Sequence, residues 1–361
     1  MRIRAYDPYL QTRGGGERYF LELCSYLAEG HMVEVVPPIG EALSTVELSE
    51  IANTFGLAAD RLATADWQRP AIGRWSTERM LSDSDLAVTV TNRYPLTVKA
   101  RHVSVLQFPW GVTNWWPWQK AAARRSLATC DLVLTYSNYV RQWVERTLGY
   151  APEVLYPSVS PVAPLPKEPI ILSVGRLTAG GHNKKHGAMI AAFMKLRRRE
   201  LSEWRLILAG SAHPSDEPYI RSLRNLADGA PVEILPNIKR ADLESLFGRA
   251  SIYWHATGYG ERMERNPERF EHFGIAVVEA MSAGCTPVVF DGGGLPEIVQ
   301  AGRSGVLWGD VAALVSETRR LALDGAARTA LGLTAQDCAN RFSAPVFRDT
   351  LTRYLTDRAL I

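Results

Sequence analysis

The chain has 361 residues, 22% of them charged and 46% hydrophobic, an ordinary balance for a soluble globular protein and enough length for two domains with separate cores. A net charge of +3 gives no ground for a nucleic-acid partner, although a local basic patch can still meet phosphate or anionic lipid. Cys24, Cys130, Cys285 and Cys338 show neither paired nor zinc-like spacing, which points to a reducing cytosol. No run approaches about eighteen apolar residues and Met1-Arg2-Ile3-Arg4 opens no signal core, so neither a membrane span nor a secretory route is expected.

Ile3 to Tyr6 reads as a first strand, and Gly14-Gly15-Gly16 follow it. Tyr19, Leu23, Tyr26 and Leu27 then recur at helical spacing before a second strand, His31 to Val36. This opening suits a doubly wound domain, yet it lacks both G-x-G-x-x-G and a P-loop lysine. The glycines therefore read either as a close-packed turn or as a ligand contact. Asp83-Ser84-Asp85 stands just before the strand Leu86 to Val90, where aspartates commonly form turns, and a turn is preferred there to a divalent-metal site. Val103 to Leu106 is another apolar strand, ending in Gln107-Phe108-Pro109-Trp110. Trp110, Trp115, Trp116 and Trp118, with Lys120, Arg124 and Arg125 after them, read as an exposed or half-exposed loop. Such a loop can stack on sugar faces, settle at a membrane interface, or cover the core. Asp131 to Tyr136 is a strand, and Ser137 an N-cap.

Pro157, Pro161, Pro164, Pro166 and Pro169 exclude a helix or central strand and predict a linker over 159–169, between domains at 1–158 and 170–340. The second half restarts with the strand Ile170 to Val174 and Gly175-Arg176. After Gly180-Gly181 come Lys184 and Lys185, then a helix carrying Ile190, Phe193, Met194 and Arg197. Cations flanking a glycine loop beyond a parallel strand make a suitable anion clamp. Further strands are Arg205 to Ala209, Val232 to Leu235 with Asn237-Ile238 after it, and Ser251 to His255, which enters a polar loop, Glu261 to Arg269. Arg341-Phe342 to Leu355 reads as an amphipathic helix.

The stretch from Phe270 to Val299 carries the chemistry. Glu271 precedes the break at Phe273-Gly274, and Glu279 sits in a short helical run ending at Gly284. The buried strand Thr286 to Phe290 leads into Gly292-Gly293-Gly294 and a helix start at Leu295-Pro296-Glu297. Glycine turns and helix N-termini offer backbone N–H groups to phosphate, and a carboxylate accepts from both hydroxyls of a diol. The pattern describes a nucleotide-sugar pocket.

The block resembles the retaining glycosyltransferases of family 4, whose signature is two glutamates separated by seven residues with Phe-Gly after the first. Glu271-His272-Phe273-Gly274 and Glu279-Ala280-Met281 match it, as do the Ala-Gly, Pro-Val-Val and Gly-Gly-x-Pro-Glu-Ile-Val elements that follow. The resemblance spans nearly the whole chain but is specific only after Pro169. It implies the α/β GT-B architecture: two doubly wound Rossmann-like domains facing across a cleft, with a C-terminal helix, 341–361, returning to the first. It also implies transfer of a sugar from a GDP- or UDP-sugar to a hydroxyl acceptor, free or lipid-linked, in polysaccharide, glycolipid or glycoside synthesis. The expected place is the cytoplasm or the inner face of the membrane, with no metal or other cofactor.

Residue by residue, the resemblance puts Arg176 and Lys184 on the donor diphosphate, with Lys185 as the substitute in a shifted register. Glu271, His272, Phe273, Gly274 and Ile275 surround the sugar, and Glu279 holds the ribose. Asn237 and Ile238 line the base pocket, Gly15 and Gly16 lie beneath the phosphates, and Gln107, Trp110 and Trp115 fall on the acceptor side. Gln107 stands where many relatives have a histidine, and a glutamine cannot be a general base. His255 and His272 are the histidines expected near the donor, most simply as structural hydrogen-bond partners. A GT-B epimerase is the alternative, as is an inactive nucleotide-sugar-binding subunit. The former needs titratable groups around the sugar ring, and the latter does not explain the intact Arg176, Lys184, Glu271 and Glu279.

Overall fold

A computed structural model describes residues 1–12, 14–57, 60–65, 73–180, 183–196 and 201–361; Gly181 and Arg197 lie outside them. The chain forms two compact units, one of residues 1–158 with 344–361 and one of residues 159–343.

The first unit is built on β1 (Arg2–Tyr6), β2 (Met32–Val36), β3 (Leu62–Thr64), β4 (Leu86–Thr91), β5 (Arg101–Leu106), β6 (Leu132–Thr135) and β7 (Glu153–Val154). They make one sheet in the order β3-β2-β1-β4-β5-β6-β7, parallel throughout. The central strands β4 and β5 are buried along all but one end residue each, as a parallel sheet covered by helices requires. Edge strands β3 and β7 have three and two residues, too few for any periodicity, and exist through their pairing with β2 and β6. The helix Gly15–Leu27 buries Tyr19, Leu23 and Leu27.

The C-terminal helix begins later than its sequence pattern predicts. Asn340–Phe342 is a separate 3-10 turn, because Phe342 is buried edge-on against Phe273, with ring centroids 5.1 Å apart, in the second unit. The helix proper is Ala344–Asp357. It belongs to the first unit, where Phe347 packs on Tyr19 at 5.6 Å and Thr352 hydrogen-bonds the Tyr26 hydroxyl.

The second unit holds β8 (Glu168–Val174), β9 (Arg205–Gly210), β10 (Val232–Pro236), β11 (Ala250–His255), β12 (Thr286–Phe290) and β13 (Val306–Trp308). Their order is β10-β9-β8-β11-β12-β13, again all parallel. The proline-rich stretch is not a loose joint, because its backbone is bonded into this unit. Val159 N–H donates to Phe342 O at 2.8 Å, Val162 N–H to Ser282 Oγ at 3.0 Å and Leu165 N–H to Gly248 O at 3.1 Å. Pro169 lies inside β8, a central strand, and the β8–β11 register shifts across that point, where proline has no N–H for a regular ladder. In each sheet the strand order reverses beside the first strand, between β1 and β4 and between β8 and β11. Open α/β sheets bind ligands beyond the carboxyl ends of the strands at this reversal.

Candidate active site

In the second unit, the carboxyl ends of β8 and β11 bring together three residues far apart in sequence. Lys184 Nζ donates to Glu271 Oε2 at 2.5 Å, and His255 Nε2, at the last position of β11, lies 2.7 Å from the same oxygen. The other oxygen of Glu271 has no hydrogen-bond partner among the described residues. Burial works against the Glu271 charge, but the Lys184 ammonium and the His255 hydrogen bond outweigh it and hold the carboxyl well below its usual range. The side chain remains 15% exposed, so an ionised oxygen faces outward, able to accept from a ligand hydroxyl.

Backbone positions without side chains make this convergence possible. A Cβ at Gly175 would come 2.7 Å from Lys184 Cγ, so the lysine reaches Glu271 across bare backbone. Gly293 and Gly294 pack beneath the glutamate, where added Cβ atoms would come 2.2 Å from Glu271 O and 2.5 Å from His272 O. Gly294 N–H donates to Glu271 O at 2.8 Å. That amide therefore anchors Glu271 rather than facing a phosphate, which departs from the expectation for this glycine turn. Gly274, at φ +117°, begins the helix Ile275–Ser282 without a side-chain cap, and a β-carbon there would be strained.

Arg176 lies just beyond β8, exposed and without an ion pair among the described residues. Lys185 is held elsewhere, its Nζ donating to Glu261 Oε1 at 2.7 Å while Arg269 meets the other oxygen at 3.3 Å. This pairing gives Lys185 a partner in the polar loop and leaves Lys184 as the lysine on Glu271. Glu279 is buried and accepts from Arg240 Nη1 at 2.8 Å. Asn237, in the left-handed region at φ +55°, spends its backbone N–H on Gly210 O at 2.8 Å, and its side-chain amide bonds both Ala212 N–H and Ala212 O. Its observed role is to lock the loops after β9 and β10, with half-buried Ile238 next to it. Phe273 is core. His272 is half-buried beside Glu268 O at 3.2 Å, and desolvation pushes its ring down to about 4 despite the nearby Glu271 charge, so it is neutral at pH 7.

The sequence offered no signal for Arg240, and only the histidine type pointed to His255. Nothing in a linear pattern pairs either with its glutamate.

In the first unit, Gly15 opens its helix and Gly16 lies against Gln107: a Cβ there would come 2.4 Å from Gln107 Nε2 and 3.3 Å from the Tyr136 hydroxyl. Trp115 donates its indole N–H to Trp110 O at 3.1 Å and packs edge-on to Tyr94 at 6.4 Å, so it is half-buried structure. Trp116 and Trp118 are each 68% exposed, flanking Pro117 at the start of a helix. Asp83 and Asp85 lie at the opposite end of the sheet, on the first residues of β1. Asp83 accepts from Arg4 Nη1 at 3.2 Å and Asp85 from Arg2 N–H at 2.7 Å.

Asp7, beyond the carboxyl end of β1, was not singled out by its sequence. It is fully buried, with one oxygen accepting from Tyr9 N–H at 2.8 Å and the other without a partner among the described residues. Burial, reinforced by the Glu17 charge, raises its carboxyl from an ordinary 3.8 to about 8. Folding therefore retains a proton that the unfolded chain releases above about pH 4, and stability is lost as pH rises through about 8. Asp7→Asn should gain melting temperature relative to the unaltered protein progressively from pH 4 to pH 9. A difference that does not change with pH would show that the carboxyl titrates normally.

Residues 13–162 match the family model for Glycosyltransferase Family 4, and residues 160–337 match that for Glycosyl transferases group 1. The sulfoquinovosyl transferase SQD2 of Arabidopsis thaliana is 26% identical over 182 residues, 49% of this chain and 31% of that protein. A GDP-Man:Man(3)GlcNAc(2)-PP-Dol alpha-1,2-mannosyltransferase of Xenopus tropicalis is 31% identical over 134 residues, 36% of this chain and 25% of that protein. The matches thus span about a third or less of these curated relatives. Among solved structures, a sucrose-phosphate synthase from Thermosynechococcus elongatus superposes with a TM-score of 0.75 at 16% identity, covering 99% of both chains. Anabaena Alr3699/HepE in complex with UDP also gives 0.75, at 17% identity, covering 99% of this chain and 100% of that one. The two parallel sheets are those of two Rossmann-like domains, and the chain belongs to the glycosyltransferases of GT-B fold.

Proposed function

We propose that the protein transfers a sugar from a UDP- or GDP-linked donor to a hydroxyl acceptor, with retention of anomeric configuration. The observation that carries this reading is the ionised, half-satisfied Glu271 carboxylate held by Lys184 and His255 at the strand-order reversal, with exposed Arg176 just beyond β8. Support for the donor class comes from solved relatives described in complex with UDP, and with UDP and glucose, and from the mannosyltransferase named for GDP-Man.

In the proposed reaction the bond between the anomeric carbon and the diphosphate oxygen breaks, leaving a sugar cation beside a diphosphate. Arg176 and Lys184 offset the leaving-group charge by preorganised electrostatics. Glu271 holds sugar hydroxyls and Glu279 the ribose. The acceptor oxygen attacks from the same face and its proton passes to the departing phosphate oxygen, so no protein nucleophile is needed. Trp116 and Trp118 are proposed to meet a membrane-linked acceptor or the bilayer itself, in polysaccharide, glycolipid or glycoside synthesis.

A thermal-shift screen of UDP-, GDP- and ADP-sugars tests the donor, since binding stabilises the folded state by mass action. Absence of stabilisation by every nucleotide sugar would refute the reading, and a product of inverted configuration would refute retention. Because fixed side-chain cations neutralise the diphosphate, transfer should survive EDTA, and Asp83→Asn with Asp85→Asn should stay active. Activity lost in EDTA and restored by magnesium or manganese would overturn the metal-free mechanism. Trp116→Ala with Trp118→Ala should reduce sedimentation with vesicles of mixed anionic and zwitterionic lipid; equal sedimentation would remove the membrane role.

A further inference from the structure

We propose that His255 is a positioning residue for Glu271: as a neutral Nε2–H donor it keeps the carboxylate in place when Lys184 turns from it to a donor diphosphate. The inference rests on the glycosyl-transfer reading above and deepens it.

Lys184 has two incompatible tasks. In the structure its ammonium is 2.5 Å from Glu271 Oε2, whereas neutralising a leaving diphosphate requires that charge to face a phosphate. With Lys184 as its sole partner, a carboxylate that is only 15% exposed could not lose that partner cheaply, because a buried charge without a hydrogen bond is strongly destabilised. It would rotate outward or take up a proton, and in either case cease to be the fixed acceptor that a sugar hydroxyl needs. His255 removes the conflict, since its Nε2 stands 2.7 Å from the same oxygen and does not depend on Lys184.

The imidazole is itself rigidly placed. It occupies the last residue of β11, is 3% exposed, and follows Trp254, which is buried with its indole N–H 2.9 Å from Thr318 Oγ1. Its Nδ1 has no partner among the described residues. A neutral ring protonated on Nε2 leaves only a lone pair unsatisfied there, a smaller cost than the unpaired N–H of an imidazolium. Burial lowers the ring's basicity, opposed by Glu271 and assisted by Lys184, in the same sense. A neutral donor also suits the task, because it holds the carboxylate without adding a second cation that would compete for the diphosphate.

Gln and Asn separate this role from simple packing. A glutamine amide nitrogen falls near the position of imidazole Nε2, whereas an asparagine amide falls near Nδ1. For whichever of UDP-glucose, GDP-mannose or ADP-glucose the unaltered protein turns over, His255→Ala and His255→Asn should lower kcat roughly tenfold or more, the scale of one hydrogen bond to a charged group. KM and the calorimetric affinity for UDP or GDP should hold within about threefold, and His255→Gln should recover most of kcat. Equal activity in all three variants would overturn the proposal. So would an equal loss in all three with unchanged melting temperature, since the ring rather than its donor would then matter. A second measurement does not depend on turnover or on any variant folding: the nitrogen spectrum of 15N-histidine-labelled protein should show His255 as the neutral Nε2–H tautomer from pH 6 to 8. An Nδ1–H ring, whose Nε2 can only accept, would overturn the inference. Failure of the unaltered protein to turn over any nucleotide sugar would instead count against glycosyl transfer while leaving this spectral test in force.

Discussion

Arg176→Ala should lower turnover by roughly 10² or more, the scale for losing one preorganised stabiliser of developing charge, while leaving the melting temperature unchanged. The two halves of that expectation come from different observations. Arg176 is exposed and makes no ion pair among the described residues, so its removal breaks no ion pair there. Its electrostatic influence is felt at Asp216, whose carboxyl is lowered first by His213 N–H, then by Thr178, with Arg176 a lesser contributor. In the proposed reaction, a cation with no ion pair among the described residues at the end of β8 is available to the diphosphate from the outset. Lys184 must first leave Glu271, so Lys184→Ala should lose comparable turnover and also shift the melting temperature. Steady-state kinetics with thermal melts of both variants distinguish them. Unaltered turnover in folded Arg176→Ala would remove that residue from the mechanism.

Glu271→Gln and Glu279→Gln should fail in different ways. In the proposed reaction Glu271 presents its outward oxygen to the sugar, whose ring flattens and gains positive charge as the bond breaks. An amide keeps an acceptor for Lys184 or His255 but loses the negative charge, so Glu271→Gln should depress kcat by roughly 10². Free UDP or GDP affinity should be intact or slightly raised, because Lys184 is no longer held by a carboxylate at 2.5 Å. Glu279 is buried and tied to Arg240 at 2.8 Å, a fixed acceptor suited to ribose, which does not change during transfer. Interactions equal in ground and transition states affect binding, not the chemical step. Glu279→Gln should therefore weaken donor and free nucleotide alike by roughly tenfold, the worth of one charge-assisted hydrogen bond, with kcat little altered. Calorimetry with the free nucleotide beside donor kinetics decides the matter. A reversal of the two patterns would exchange the roles, and no change in either variant would move the pocket away from the Phe270–Val299 block.

Much of the second unit was legible in the sequence because its central strands are short apolar runs buried on both sides. The run Thr286 to Phe290 is β12 as observed, and Ile170 to Val174 and Ser251 to His255 fall within one or two residues of β8 and β11. The motif block was legible for a different reason: its glycines are demanded by backbone contacts within the block, as Gly293 and Gly294 against Glu271 and His272 show. Local constraint leaves a local signature.

What only the tertiary structure decided are the pairings between loops. Lys184 meets Glu271 across 87 positions, Arg240 meets Glu279 across 39, and His255 meets Glu271 across 16. No periodicity links such residues, since they are joined by which strands lie side by side at the reversal of sheet order. The same holds for Asp7, an ordinary aspartate in sequence whose burial alone makes it a proton-retaining group, and for the prolines of 159–169, whose anchoring depends on the partners of Val159, Val162 and Leu165. Sequence carries the residue types and the short-range backbone demands. The charge state and partner of each polar side chain are set by the low-dielectric neighbourhood that parallel strands assemble from distant segments.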